Sequence, residues 1–202
     1  MPFAPLQESR SEIKILSSRF VAVILPLAKA DDFPLALEEV RHRFPKADHY
    51  PYAFLTDKRE KSSDDGEPSG SAGRPLLALL KKKDLTKTAI IIARYFGGRK
   101  LGASRLSRTF LAAAEGALTR ARLAEILSLH SFRLHLDYRD YEEVKSLAAK
   151  NGYLLSDVVF RELVNLTIAG DDTIISTLSS LRLKGESIED FGYIETVKER
   201  QS

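Results

Sequence analysis

From Phe132 onward the apolar pattern switches period in an order that few folds accept. Phe132–Leu136 alternates as a strand, and Tyr141–Lys150 repeats as a helix closed by Asn151-Gly152. Tyr153–Phe160 and Leu163–Ala169 read as two strands joined by a tight turn. Asp171 and Asp172 then cap a second helix running through Leu183 and stopping near Gly185, and Ser187–Val197 is the last strand. Strand–helix–strand–strand–helix–strand is the split-βαβ, ferredoxin-like order. It marks 131–202 as one domain and leaves 1–128 to form another. With 44% hydrophobic residues in 202, the chain holds enough apolar material for two cores.

The first domain mixes strands and helices less regularly. Residues 8–30 read as extended, with Phe20–Leu25 apt for a buried strand. Asp31 or Asp32 caps a helix with Pro34 in its first turn. Phe33, Leu37, Val40 and Phe44 form its core-facing stripe, and Pro45 ends it. Tyr50–Leu55 and Thr88–Ala93 read as further strands, while Pro75–Leu80 is apolar but too short to assign. From Ser104 to Arg122 a helical pattern returns, with Leu106, Phe110, Ala113 and Ala117 as its buried stripe. Residues 57–73 are so polar that they read as one long loop. The whole is an α+β chain of two domains.

Composition narrows the chemistry. Zero cysteines excludes disulfides, thiol catalysis, Cys-ligated zinc and iron–sulfur clusters. No apolar run approaches the ~20 residues of a membrane span, and the N-terminus carries no secretory pattern, so the expected location is cytoplasmic. The net charge of +3 is unevenly spread. Residues 1–130 carry 22 Lys/Arg against 15 Asp/Glu, and residues 131–202 carry 9 against 13. The first domain is therefore the one suited to an anionic partner.

The strongest local signal lies between Arg94 and Arg108. Arg94, Arg99, Lys100, Arg105 and Arg108 place five cations in fifteen residues with no acid among them. Gly97, Gly98 and Gly102 join a strand end to a helix start, where backbone N–H groups and the helix dipole favour an anion. Arg105 and Arg108 share a helix face away from Leu106 and Phe110. Tyr95 or Phe96 is available for stacking, and Lys81–Lys83 with Lys87 precede the same strand and could extend the patch. The spacing is neither a Walker A loop nor a Rossmann fingerprint, so nucleotide hydrolysis is unsupported.

Asp64, Asp65 and Glu67 have the oxygen chemistry for a hard cation, but an Asp-Asp-Gly-Glu-Pro-Ser-Gly stretch is equally a turn-rich loop. Ser69 and Ser71 sit in no nucleophile elbow. Among His42, His49, His130 and His135 no pair has helical ligand spacing, and His49 has no marked nucleophile to serve. The residues nominate a binding surface, with no catalytic residue, metal or cofactor assigned.

Two stretches carry a resemblance. Ser63–Pro75, with Asp64, Asp65, Gly66, Glu67, Pro68, Ser69 and Gly70 at its centre, and Arg94–Gly102 resemble the signature of the IMPACT family in its bacterial YigZ-like branch. Glu8–Glu12, Ser18–Phe20 and His49–Ala53 fit weaker parts of the same pattern, and the likeness covers roughly residues 6–125. It implies an N-terminal α/β sandwich similar to a translation-factor domain, followed by a ferredoxin-like domain similar to part of elongation factor G. It also implies a role around translation. Eukaryotic members restrain a starvation-sensing kinase through an additional domain that has no counterpart in these residues, so that role is not carried over. Where the family pattern continues after Ala103 with two glycines, this chain has Ser104-Arg105, which removes backbone freedom and adds a cation.

The leading expectation is a translation-associated protein that binds RNA or a ribosomal surface. Its phosphate contacts would be Arg94, Arg99, Lys100, Arg105 and Arg108 around Gly97, Gly98 and Gly102, with the Asp64–Gly73 loop as one wall. Two alternatives stay open: a magnesium-dependent enzyme acting on a phosphorylated small molecule or nucleotide, and a protein-interaction module in translation control.

Overall fold

The two most apolar runs of the first half, Ser18–Pro26 and Thr88–Tyr95, pair with each other antiparallel across eight registered positions. The computed structural model describes residues 2–181 and 187–199. It places these runs as β3 and β6 at the centre of a five-stranded antiparallel sheet, with β2 (Ser9–Ile15), β4 (Tyr52–Leu55) and β5 (Glu60–Ser63) in the order β2-β3-β6-β4-β5. A strand buried on both faces needs no polar alternation, which explains why these two are apolar throughout.

Alternate side chains of β3 and β6 serve two different cores. Val23, Leu25, Ala89 and Ile91 meet Phe33 and Val40 of α1 (Phe33–Arg43). Phe20, Ala22, Ile24, Ile90 and Ile92 meet α2 (Gly73–Lys82) and α3 (Ala103–Leu118) on the other face. Phe20 and Phe110 pack edge to face at 5.1 Å between ring centres. The sheet is thus sandwiched between one helix and two, the α/β sandwich that the family resemblance implies.

Several element bounds differ from the sequence reading. Residues 57–73 are not one loop, because Glu60–Ser63 is β5, held to β4 by backbone pairing with no apolar side chain to announce it. The fourth strand starts at Tyr52, after Pro51, which has no N–H to give; the Tyr50 N–H donates instead to Asp65 Oδ2 (2.6 Å). The third helix ends at Leu118, short of Arg122, as Arg120 and Ala121 tighten the last turn with bonds to carbonyls three residues back. A short strand, β1 (Phe3–Pro5), pairs with Leu123–Glu125 at the start of β7 (Leu123–Leu136).

The chain divides into two compact units, the second comprising Ile126–Lys198. After β7 this unit runs through α4 (Tyr138–Asn151), β8 (Leu154–Phe160), β9 (Val164–Gly170), α5 (Thr173–Ser180) and β10 (Ser187–Glu199). Its sheet order is β10-β7-β9-β8, which together with the element order is the split-βαβ arrangement. Phe132, Leu134, Leu166 and Ile168 bury one sheet face against Val144 and Ala148 of α4 and Ile174 and Leu178 of α5. The fourth helix starts three residues earlier than the apolar period predicts, because Asp137 caps it by accepting from the Asp140 N–H (2.7 Å). The fifth ends at Ser180 with Leu181 already extended, short of Leu183. The predicted stop at Gly185 lies outside the described residues.

Candidate functional site

The acidic motif loop is built around one carboxylate. Asp64 Oδ2 accepts from the Gly70 N–H (2.7 Å), and Oδ1 accepts from the N–H groups of Ala72 (2.9 Å) and Gly73 (2.8 Å). Ala72 at the start of α2 has no side-chain oxygen to cap the helix, so Asp64 does this from eight residues away. Burial pushes the Asp64 carboxyl up. The three backbone donors, with Arg74 nearby, outweigh that and hold it below the ordinary aspartate value. Asp65 is likewise engaged: it accepts the Tyr50 N–H and lies 3.7 Å from Arg41 Nη2. Pro68 and Ser69 are exposed on this loop.

Glu67 turns the other way, into the domain. Its side chain is 1% exposed and is ion-paired with Arg94, itself 7% exposed. Arg94 therefore does not stand on the surface with the other cations: its Nη1 donates to Glu67 Oε2, and its guanidinium packs over Phe20 and Phe96. Burial raises the Glu67 carboxyl above the ordinary glutamate value, and the charges of Arg94 and His49 only partly offset it. Two atoms of this pair, Glu67 Oε1 and Arg94 Nε, are buried and have no hydrogen-bond partner.

Beside the pair opens a cavity of about 450 Å³, walled by Glu67, Arg94, Asp48, His49, Phe96 and the Lys100–Ala103 turn, among others. The His49 ring is fixed by Nδ1, which lies 2.7 Å from the Asp65 carbonyl; a carbonyl only accepts, so Nδ1 carries the proton. Gly66 sits against that ring, and a Cβ there would lie 2.8 Å from Nδ1. Asp48 Oδ2 accepts from the Phe96 N–H (2.7 Å) and anchors the exit of β6.

The glycine turn connects this cavity to the cations. Gly97 packs so tightly on the Ser17 backbone that no Cβ fits, and its N–H donates to Ser18 Oγ (3.1 Å). Gly98 is exposed. Gly102 stands at the N-cap of α3 with φ +79°, a conformation other residues rarely adopt. Arg99, Lys100, Arg105 and Arg108 are all exposed around this helix start. Arg108 makes one long bond, from Nε to the Ser104 carbonyl (3.3 Å). The structure thus brings the glycines, four exposed cations and the acidic loop to one end of β6. Lys81–Lys83, at the end of α2, and Lys87 come before the opposite end of β6, whose eight residues span roughly 25 Å.

The profile of the Impact N-terminal domain matches residues 16–118, which is just over half of the chain and contains every residue just described. The chain belongs to the IMPACT family. An IMPACT family member from the region 5′ of pol in Thermus thermophilus is 34% identical over 152 residues, covering 72% of this chain and 83% of the relative. The IMPACT family member YigZ of Escherichia coli strain K12 is 26% identical over 161 residues, covering 77% and 79%. A solved structure known only as a hypothetical protein superposes with a TM-score of 0.65 at 21% identity, over 94% of this chain and 96% of that one, and so shares its fold.

Seen in this IMPACT chain, the two motif stretches make one construction. The acidic loop supplies Glu67, and the basic turn begins with the Arg94 that meets it. Asp48 escaped sequence reading because it lies 46 residues before Arg94 and is brought in by backbone pairing of Asp48 and His49 with Arg94. His49 carried one signal, its place in the His49–Ala53 stretch. Among the described residues no group of three or more His, Cys, Asp or Glu is placed to hold a metal ion. None of their helices is long and apolar enough to cross a membrane.

Proposed function

We propose that this IMPACT family member acts around translation by binding RNA, free or on a ribosomal surface, through the basic turn at the start of α3. The observation that carries the reading is the exposure of Arg99, Lys100, Arg105 and Arg108 around a helix N-terminus that already favours anions. Phosphate oxygens fit such a face, since side chains, backbone N–H groups and helix ends together make most contacts to nucleic-acid backbones. Arg94 contributes differently: paired with Glu67, it stiffens the wall behind the turn. The resemblance to a translation-factor domain and the excess of positive charge before residue 130 favour the same class of partner.

The enzyme alternative is weakened by where its carboxylates are. Asp64 is committed to three backbone donors, Asp65 accepts the Tyr50 N–H and Glu67 is ion-paired with Arg94, and among the described residues the three are not grouped to hold a metal ion. Four phosphate contacts on a single strand give a plot of log affinity against log salt with a slope of about −3. Binding to ribosomal RNA and to ribosomes across a salt series tests this directly. Replacing Arg105 and Arg108 with Glu is expected to weaken binding strongly and roughly halve the slope. Affinity that barely changes with salt overturns the reading, and loss of a protein partner with RNA binding intact favours the interaction module.

A further inference from the structure

The cavity beside the basic turn has features that backbone binding does not need. Its volume of about 450 Å³ falls within the range of small-molecule sites. Pro68, Leu101 and Leu106 give it apolar wall, and Phe96 stands in the lining 44% exposed. An aromatic ring left so open is a platform for a flat ligand. Glu67 and Arg94 also line it, and each keeps one buried polar atom unpartnered, a carboxylate oxygen that accepts and a guanidinium N–H that donates. Buried polar groups without partners are uncommon because each costs free energy to desolvate. Both atoms lie just beneath the wall's surface, so a ligand that offers a donor next to an acceptor on one edge complements them once the pair turns toward it.

We infer that this cavity receives an unstacked nucleobase of a bound single strand, stacked against Phe96, its hydrogen-bonding edge toward Glu67 and Arg94, its flanking phosphates on the Lys100–Arg105 turn. Every nucleobase combines a flat face with a donor and an acceptor side by side, and RNA proteins commonly capture splayed bases on aromatic side chains. The two halves meet where Lys100, Leu101, Gly102 and Ala103 form part of the cavity wall and lead into α3. The inference rests on the RNA reading above and adds the base to the phosphates. His49, held by the Asp65 carbonyl through Nδ1, forms another part of the cavity wall.

The test compares a short mixed-sequence RNA with an abasic ribose-phosphate strand of the same length, using the full chain, with Phe96→Ala and Ala103→Leu as variants. Phe96→Ala removes the platform. Ala103 is exposed at the first turn of α3, so Ala103→Leu narrows the cavity without entering the core. Melting curves confirm that both variants are folded. The wild type is expected to bind RNA about tenfold more tightly than the abasic strand, consistent with stacking one base, and both variants are expected to fall to the abasic level. Equal, salt-sensitive binding of the two strands overturns base capture and leaves the phosphate reading standing. Failure to bind either strand overturns both. A base preference that survives in both variants places the base elsewhere and overturns the cavity.

Discussion

Asp64 shows how a residue that reads as a candidate ligand becomes a structural one. Its carboxylate replaces the cap that α2 lacks and closes the motif loop on itself, so Asp64→Ala leaves three backbone donors without their acceptor. The expected cost is about 1–3 kcal/mol, read from urea midpoints. The pH dependence has a sign. A carboxyl held below its unfolded value contributes stability that is present above about pH 3.9 and lost as pH falls through the lower folded value. The difference in urea midpoint between wild type and Asp64→Asn should therefore be clear at neutral pH and shrink below about pH 3.9. Glu67, raised by burial, has the opposite sign and relieves the fold as it protonates. Gly97 gives a third expectation at this scale. A methyl there meets the Ser17 backbone, so Gly97→Ala should lower stability by about 1–3 kcal/mol in thermal melts.

Among the elements, the third helix has the clearest energetic centre. Phe110 is fully buried against Phe20, and Phe110→Ala should cost about 3–5 kcal/mol in chemical denaturation. The stripe that contains it was legible in the sequence because helical spacing and burial coincide along α3. The central strands were legible because burial on both faces leaves no other choice of residue. Glu60–Ser63 was illegible, since an edge strand is held by backbone pairing that polar side chains do not reveal. The site divides along the same line. The exposed cations and glycines could be read from their spacing. The inward turn of Arg94 could not, because it depends on Glu67, 27 residues away, and the part of Asp48 depends on a bridge between distant segments.

For the whole molecule, the separation of the hydrophobic clusters has a measurable result. The cores of the first unit share no residue with the core built around Leu134 and Leu166. Phe110→Ala and Leu134→Ala should each lower the unfolding temperature of its own unit, so hydrogen exchange on the two variants is expected to show protection lost in different halves of the chain. The open five-stranded sheet raises a separate matter. Its two outer strands, β2 and β5, leave backbone groups that could template pairing with another chain. They carry exposed Arg10, Glu12 and Lys14 on one rim and Glu60 and Lys61 on the other, and Arg120 Nη1 donates to the Arg10 carbonyl (3.1 Å). Charge on both rims, and a capped carbonyl on the β2 rim, make them poor templates for fibril growth, so at high concentration the sheet is defended from self-assembly by its least apolar residues.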